Sequence, residues 1–287
     1  MSASDQLLVL IDPVARRHDG ESVRIAKDVL SAGAALKVCL PDSPEEFARA
    51  LVRRGSRRPV VVGDDRALLR TVGLLHRERE LAAGALSLVP IGGVVTLARS
   101  LGVPTGAVAA ARAVLEGVEQ RLDLLVDDSD GVVLGDLRIP SLTTPASGTG
   151  PAHAWLRTCQ SLVRSLGPRN GRVAQATAPG AGTGAGAGGG WGAGAGSGAS
   201  RLRVEADGVT LVDLDQPVDG ISVVPATDGY AVVEVRPSDA APMRARARTL
   251  TVSGPDFRYR ADAMTGGPVR TRTWTVRERA WGLTLPG

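Results

Sequence analysis

The sequence has little cysteine, little lysine, few aromatic residues and no long apolar run. Its 287 residues hold two cysteines, Cys39 and Cys159. Neither has a second Cys or a His at ligand spacing, which argues against a disulfide framework or a structural zinc site. The three histidines, His18, His76 and His153, are too scattered in the chain to argue for a metal centre. No apolar stretch reaches the ~18 residues of a membrane span. The start, Met1-Ser2-Ala3-Ser4-Asp5-Gln6, has neither the basic beginning nor the apolar stretch of a secretory signal. The expectation is a cytoplasmic protein. Aromatics make up 3% of the residues, so bases would find few stacking platforms and nucleic acid is not expected as a partner.

What is plentiful is glycine, with 36 residues, and arginine. Only Lys27 and Lys37 are lysines among the 34 basic residues, although the net charge is just +4. The arginine bias has two readings. One is coding bias, in keeping with the glycine, alanine and valine content. The other is a surface for phosphates or anionic lipid, because the guanidinium fork pairs well with phosphate oxygens. Arg244, Arg246 and Arg248 alternate, as do Arg270 and Arg272, so on strands each set projects from one face.

The chain reads as two unlike halves. Residues 1–140 alternate apolar runs with helical patterns: Leu7–Ile11, Ala35–Leu40, Pro59–Val62 and Leu86–Pro90 read as strands. Glu21–Ala32 reads as a helix ended by Gly33. Ser43-Pro44-Glu45-Glu46 is a helix start, with a capping serine, a first-turn proline and two acids. This order predicts an α/β domain with a parallel sheet covered on both faces. Ligands of such sheets sit beyond the carboxyl ends of the strands. Gly106–Gln120 is read as a further helix, and Asp127–Gly131 as a turn between strands Leu122–Val126 and Val132–Leu134.

Residues 141–287 are read as a mainly β, sandwich-like second domain. It holds a helix at Ala154–Leu166 and a disordered Gly/Ala-rich insertion at about 179–200. From Arg201 onward, Leu202–Glu205, Val209–Asp213, Ile221–Val224 and Tyr230–Val235 read as short strands separated by Asp-Gly turns, and Thr249–Val252, Phe257–Arg260 and Thr271–Val276 continue the pattern. Trp155, Trp274 and Trp281 are expected in a core or between domains; Trp191, within the glycine tract, is a candidate for a membrane surface or a partner.

Two loops at predicted strand ends stand out. Gly63-Asp64-Asp65-Arg66-Ala67 places paired acids before a helix. They would either cap that helix or serve a metal or a proton. Pro90-Ile91-Gly92-Gly93 precedes another helix, either as an ordinary tight turn or as a place where phosphate approaches backbone amides.

In order, these segments resemble the bacterial diacylglycerol kinase and lipid kinase family, relatives of the sphingosine and NAD kinases. The family opens with a strand followed by Asn-Pro-x-Ser/Ala-Gly, matched here by Asp12-Pro13-Val14-Ala15-Arg16. Its Gly-Gly-Asp-Gly-Thr loop is matched by Gly63–Ala67. Its Pro-x-Gly-Thr-x-Asn-Asp-Phe-Ala-Arg-x-Leu-Gly-Ile-Pro stretch is matched by Pro90–Pro104, with Pro90, Gly92, Ala98, Arg99, Leu101, Gly102 and Pro104 in place. Its late Asp-Gly-Glu appears as Asp262-Ala263-Met264. The likeness covers most of the chain apart from Gly180–Ser200.

The resemblance implies ATP and Mg²⁺ as cofactors, Asp65 and Asp262 as catalytic groups, and a nucleotide set of Asp12, Gly63, Asp64, Arg66, Gly92 and Gly93, with no metal ligand assigned. It also implies a lipid or membrane surface as partner, with peripheral attachment, and leaves room for a homodimer or a protein partner. The departures fall on the chemistry. Asp64 and Arg66 stand where the family has glycines, Ala67 where it has threonine, and Gly93, Val95 and Thr96 where it has Thr, Asn and Asp. The glutamate after Asp262 is lost. The expectation is a degenerate member, weak or inactive as a kinase, with a lipid-, nucleotide- or partner-binding role; the alternative is an active ATP-dependent lipid kinase that phosphorylates diacylglycerol or a similar lipid hydroxyl.

Overall fold

The structure is a computed structural model and describes residues 6–139 and 199–287. The expected Ala154–Leu166 helix, most of the glycine-rich tract, and Trp155, His153, Cys159 and Trp191 lie outside the described residues.

The first half builds a parallel sheet. Its strands are β1 (Gln6–Ile11), β2 (Ala35–Cys39), β3 (Arg58–Gly63) and β4 (Ala85–Pro90), in the order β4-β3-β1-β2. The continuous apolar runs of β1, β3 and β4 are buried along nearly their whole length, as a sheet covered on both faces demands. On one face Leu7, Val9, Val60, Val62 and Val89 pack with α2 (Gly20–Gly33) and α6 (Ala107–Glu116). On the other, Leu8, Leu10, Val61 and Leu88 pack with α3 (Pro44–Val52), α4 (Asp65–Arg77) and α5 (Thr96–Ser100). Helix α3 starts as its sequence dictates: the Ser43 hydroxyl accepts the Glu46 amide at 3.2 Å. A short helix, α1 (Pro13–His18), follows β1 directly, so His18 ends a helix and does not lie in a loop.

Helix α6 stops at Glu116, earlier than its pattern predicts. Gly117 ends it, and β5 (Val118–Asp127) begins at once. The remaining strands are β6 (Val132–Val133), β7 (Leu137–Ile139), β8 (Ser200–Arg201), β9 (Arg203–Ala206), β10 (Val209–Val212), β11 (Pro217–Pro225), β12 (Ala231–Pro237), β13 (Met243–Ala247), β14 (Thr249–Ala261) and β15 (Met264–Leu285). Their inward residues share one core that includes Leu137, Val204, Ile221, Val233, Leu250, Val252 and the fully buried Trp274. The architecture is thus a parallel α/β half followed by a β-rich half.

Strand β15 ties the two halves together. It runs antiparallel to β14 and β5, then pairs in parallel with β4, setting Gly282 beside Ala85 and Leu283 beside Leu86. Trp281 and Leu283 enter the core beneath α4, and the Thr284 hydroxyl meets the buried Ser87 hydroxyl at 2.9 Å. The register slips between Arg277 and Trp281, where Arg279 adopts a φ of 48°. Buried Asp123 holds this bulge by accepting the Arg279 and Gly229 amides, both at 2.7 Å.

Candidate functional site

Strands β1, β3 and β4 end side by side, and each runs into a helix. Three acids from the intervening loops close these helix N-termini, whose first amides have no partner within the helix. Asp12 caps α1: its Oδ1 accepts the Val14 amide at 2.8 Å, while its Oδ2 accepts from Arg70 at 2.8 Å. Asp64 caps α4, its Oδ1 accepting the amides of Arg66 and Ala67, both at 3.1 Å. Burial pushes the Asp64 carboxyl above its ordinary value. The Ala67 amide opposes that rise, the charge on Asp12 adds to it, and the Arg66 side chain and amide oppose it.

Asp65 does something the sequence did not reveal. It is the first residue of α4, but its side chain turns to α5. Its Oδ2 accepts the Leu97 amide at 2.8 Å and its Oδ1 the Ala98 amide at 3.0 Å. Its own amide donates to the Val94 carbonyl at 3.0 Å. The side chain is buried and fastens the loop after β3 to the loop after β4. Of the two readings open for the paired acids, capping describes the geometry of both, but on two different helices.

The glycines here are set by close approach. A Cβ on Gly63 would fall 2.6 Å from Ala67 Cβ and 3.2 Å from Asp12 Cβ. Gly92 has a φ of 148°, and a Cβ there would fall 2.8 Å from Asp64 Cβ. The Asp64 side chain therefore lies against the second loop. Gly93 has open space around it and Arg66 is exposed.

Asp262 reaches the neighbourhood from the β-rich half. With Ala263 it forms the turn between β14 and β15, at a φ of 51°. Its Oδ2 accepts the Leu134 amide and its Oδ1 those of Gly135 and Asp136, all at 2.8 Å. Its own amide donates to the Asp136 carbonyl at 2.7 Å. Burial dominates these bonds and pushes the carboxyl up to about 6; the three amides pull it back only partly, and the Asp136 charge adds to the rise. Leu97 links this cluster to the loops: a Cβ on Gly135 would fall 2.7 Å from Leu97 Cδ1 and 2.9 Å from Asp262 Oδ1. Asp65 holds the backbone of Leu97, and Asp262 lies by its side chain. Arg70 and the Leu134–Asp136 turn are the neighbours that sequence reasoning missed; the Gly135-Asp136 pair was the available turn signal.

The structure matches solved structures over nearly its whole length. A diacylglycerol kinase from Bacillus anthracis str. Sterne superposes with a TM-score of 0.67 at 11% identity, covering 99% of this chain and 98% of that one. Two further structures from the same organism, each described as a putative diacylglycerol kinase, give TM-scores of 0.67 and 0.66 at 12% and 13% identity, with the same coverage. The chain has the diacylglycerol kinase fold. No protein-family model matches the sequence, and no curated protein matches it. The diacylglycerol kinase fold is thus carried here by a sequence only 11–13% identical to those of the matching structures. Among the described residues no helix is long and apolar enough to cross a membrane.

Proposed function

We propose that this chain is a degenerate protein of the diacylglycerol kinase fold. It acts in the cytoplasm by binding a lipid surface or a protein partner, and it does not transfer phosphate. The supporting observation is that the protein's own carboxylates occupy the helix N-termini at the carboxyl ends of β1, β3 and β4. A helix N-terminus binds phosphate because its first amides are free and its dipole end is positive. Here Asp64 takes up the Arg66 and Ala67 amides, and Asp65 those of Leu97 and Ala98. A triphosphate entering these loops meets carboxylate oxygens where it needs donors.

The residues present do not fit the ATP and Mg²⁺ of the fold's kinases. Two like unit charges 4 Å apart repel by about 4 kcal/mol at an effective dielectric of 20. That is about a thousandfold in affinity for one misplaced carboxylate. Asp64 has little room to withdraw, because Gly92 packs against it. Asp12 is paired with Arg70, which opposes a cation. Asp262 has both oxygens on backbone amides, and the residues after it, Ala263 and Met264, supply no base. Phosphoryl transfer rests on positioning and charge stabilisation, so these losses remove its means.

The test is incubation with Mg-ATP and diacylglycerol vesicles, followed by measurement of phosphatidic acid. No product above background is expected, and saturating Mg-ATP should barely move the melting midpoint. Asp64→Gly supplies a gain-of-function arm. It frees the α4 amides at a stability cost of a few tenths of a kcal/mol, and it should tighten ATP binding by about tenfold to a thousandfold. Likeness to kinases along the whole chain favours the competing reading, an ATP-dependent lipid kinase. Turnover by the wild type that vanishes in a folded Asp65→Asn variant would establish that reading and overturn ours.

A further inference from the structure

We propose that the free edge of β2 is a docking site for an extended acidic segment of a partner protein, which adds to the sheet as a further strand. Among the described residues β2 pairs only with β1, so its other side presents an unmatched row of backbone donors and acceptors. Beside that edge lies a groove of about 250 Å³, lined by Lys37 and Cys39 from β2, by Glu46, Arg49 and Ala50 from α3, and by Arg53, which ends that helix. Residues 46, 49, 50 and 53 share one face of that helix, and Lys37 and Cys39 share one face of the strand.

The charge of the groove selects its occupant. None of Lys37, Arg49 and Arg53 is in an ion pair among the described residues, whereas nearby Arg16 and Arg54 are paired with Asp42 and Glu80. Glu46 is the one acid lining the groove, and its Oε2 already accepts the Asp42 amide at 3.0 Å. Three cations outnumber the neighbouring acids, which are the engaged Glu46 and Glu45, whose charge acts on Arg49, and this excess calls for acidic side chains. They also count against a second copy of this chain, since pairing β2 with itself would bring two sets of these cations together. On the opposite face of the strand Val38 is 39% exposed, and Leu40 just beyond is 52% exposed. The matching segment therefore alternates acidic residues, which face Lys37, Arg49 and Arg53, with apolar residues, which cover Val38 and Leu40. Main-chain hydrogen bonds would give such a strand its affinity and the two rows of side chains its specificity.

The probe is a fluorescein-labelled octapeptide of alternating valine and glutamate, followed by anisotropy against the full chain in a Cys159→Ser background. Controls are the same peptide N-methylated at alternate residues, on one edge or on the other, and a valine–lysine version. The valine–glutamate peptide should bind and weaken as salt rises. One of the two N-methylated peptides should bind at least tenfold more weakly, and the lysine peptide should not bind. Occupancy should slow maleimide modification of Cys39, which faces the groove. Lys37→Glu/Arg49→Glu/Arg53→Glu should lose at least tenfold in affinity for the acidic peptide and gain binding of the lysine one. Should that variant melt early, Arg49→Gln/Arg53→Gln replaces it, with the same loss expected for the acidic peptide. Equal binding of both N-methylated peptides, affinity untouched by removal of the charges, or unchanged Cys39 reactivity at saturation would each overturn the proposal.

Discussion

The Asp262 carboxyl gives the fold a pH dependence opposite to that of most native carboxylates. Its ordinary value is 3.8, and burial raises it to about 6 in spite of three backbone hydrogen bonds. The folded state therefore binds this proton more tightly than the unfolded chain does. The stabilisation is fully present below 3.8 and is lost as pH rises through about 6. Each pH unit across that interval is worth about 1.4 kcal/mol, so about 3 kcal/mol should disappear in all, most of it between pH 4 and pH 7. In a chain of this size that corresponds to a fall of about 6–10 °C in the melting midpoint. Asp262→Asn has no proton to exchange, so it should flatten this part of the profile. Other carboxylates contribute equally to both proteins. They include Asp127: burial raises its carboxyl, but the Ser129 and Gly131 hydrogen bonds and the Arg272 charge outweigh that and lower it overall. Their effect cancels in the difference. The assay is urea unfolding of wild type and Asp262→Asn at half-unit steps from pH 4 to 7.5. Parallel profiles for the two proteins would refute the reasoning, because they would mean that folding leaves the Asp262 proton undisturbed.

Substitutions at Asp65 and Gly92 probe the loops. Asp65→Ala strands the buried Leu97 and Ala98 amides, and at about 1–3 kcal/mol for each unsatisfied donor it should cost about 2–5 kcal/mol in urea unfolding. Asp65→Asn keeps one acceptor and should cost roughly half as much. Gly92→Ala must place a methyl group 2.8 Å from Asp64 Cβ at a φ of 148°. It should destabilise by about 1–3 kcal/mol. In an Asp64→Gly background the contact is gone, and a double-mutant cycle should recover part of that loss while the backbone strain remains.

Local chemistry was legible in the sequence, and long-range pairing was not. The β1, β3 and β4 runs, the Ser43 cap and the turn at Asp127–Gly131 follow from patterns a few residues wide, and the structure contains each of them. Trp274 and Trp281 are in cores, as large apolar rings demand. The strands of the second half were read as shorter than they are. Thr249–Val252 and Phe257–Arg260 belong to one strand, β14, which bends at register shifts. Thr271–Val276 likewise lies within the 22-residue β15. Glycine and proline inside such strands look like breaks when only neighbours are considered. The site was half legible for the same reason. That Asp64 caps its own helix can be read from three adjacent residues. That Asp65 serves amides 32 and 33 positions on, and Asp262 amides 126 to 128 positions back, exists only once the chain has folded.

These carboxylates show how strand–loop–helix junctions can be satisfied from within the chain. A strand–loop–helix junction leaves backbone donors in need of an acceptor, whether or not a ligand ever arrives. In a phosphate-binding junction, water and ligand share that duty, and glycines keep the space open. Here Asp12, Asp64 and Asp65 satisfy donors on three adjacent helices permanently, and Asp65 also stitches two loops together. The caps at Asp12 and Asp64 are worth about 0.5–2 kcal/mol each, and the buried Asp65 more, a gain in stability that needs no bound ligand. On this reasoning, Asp12, Asp64 and Asp65 hold the backbone path of the three junctions from within, because the first amides of each helix find their acceptor in the chain itself.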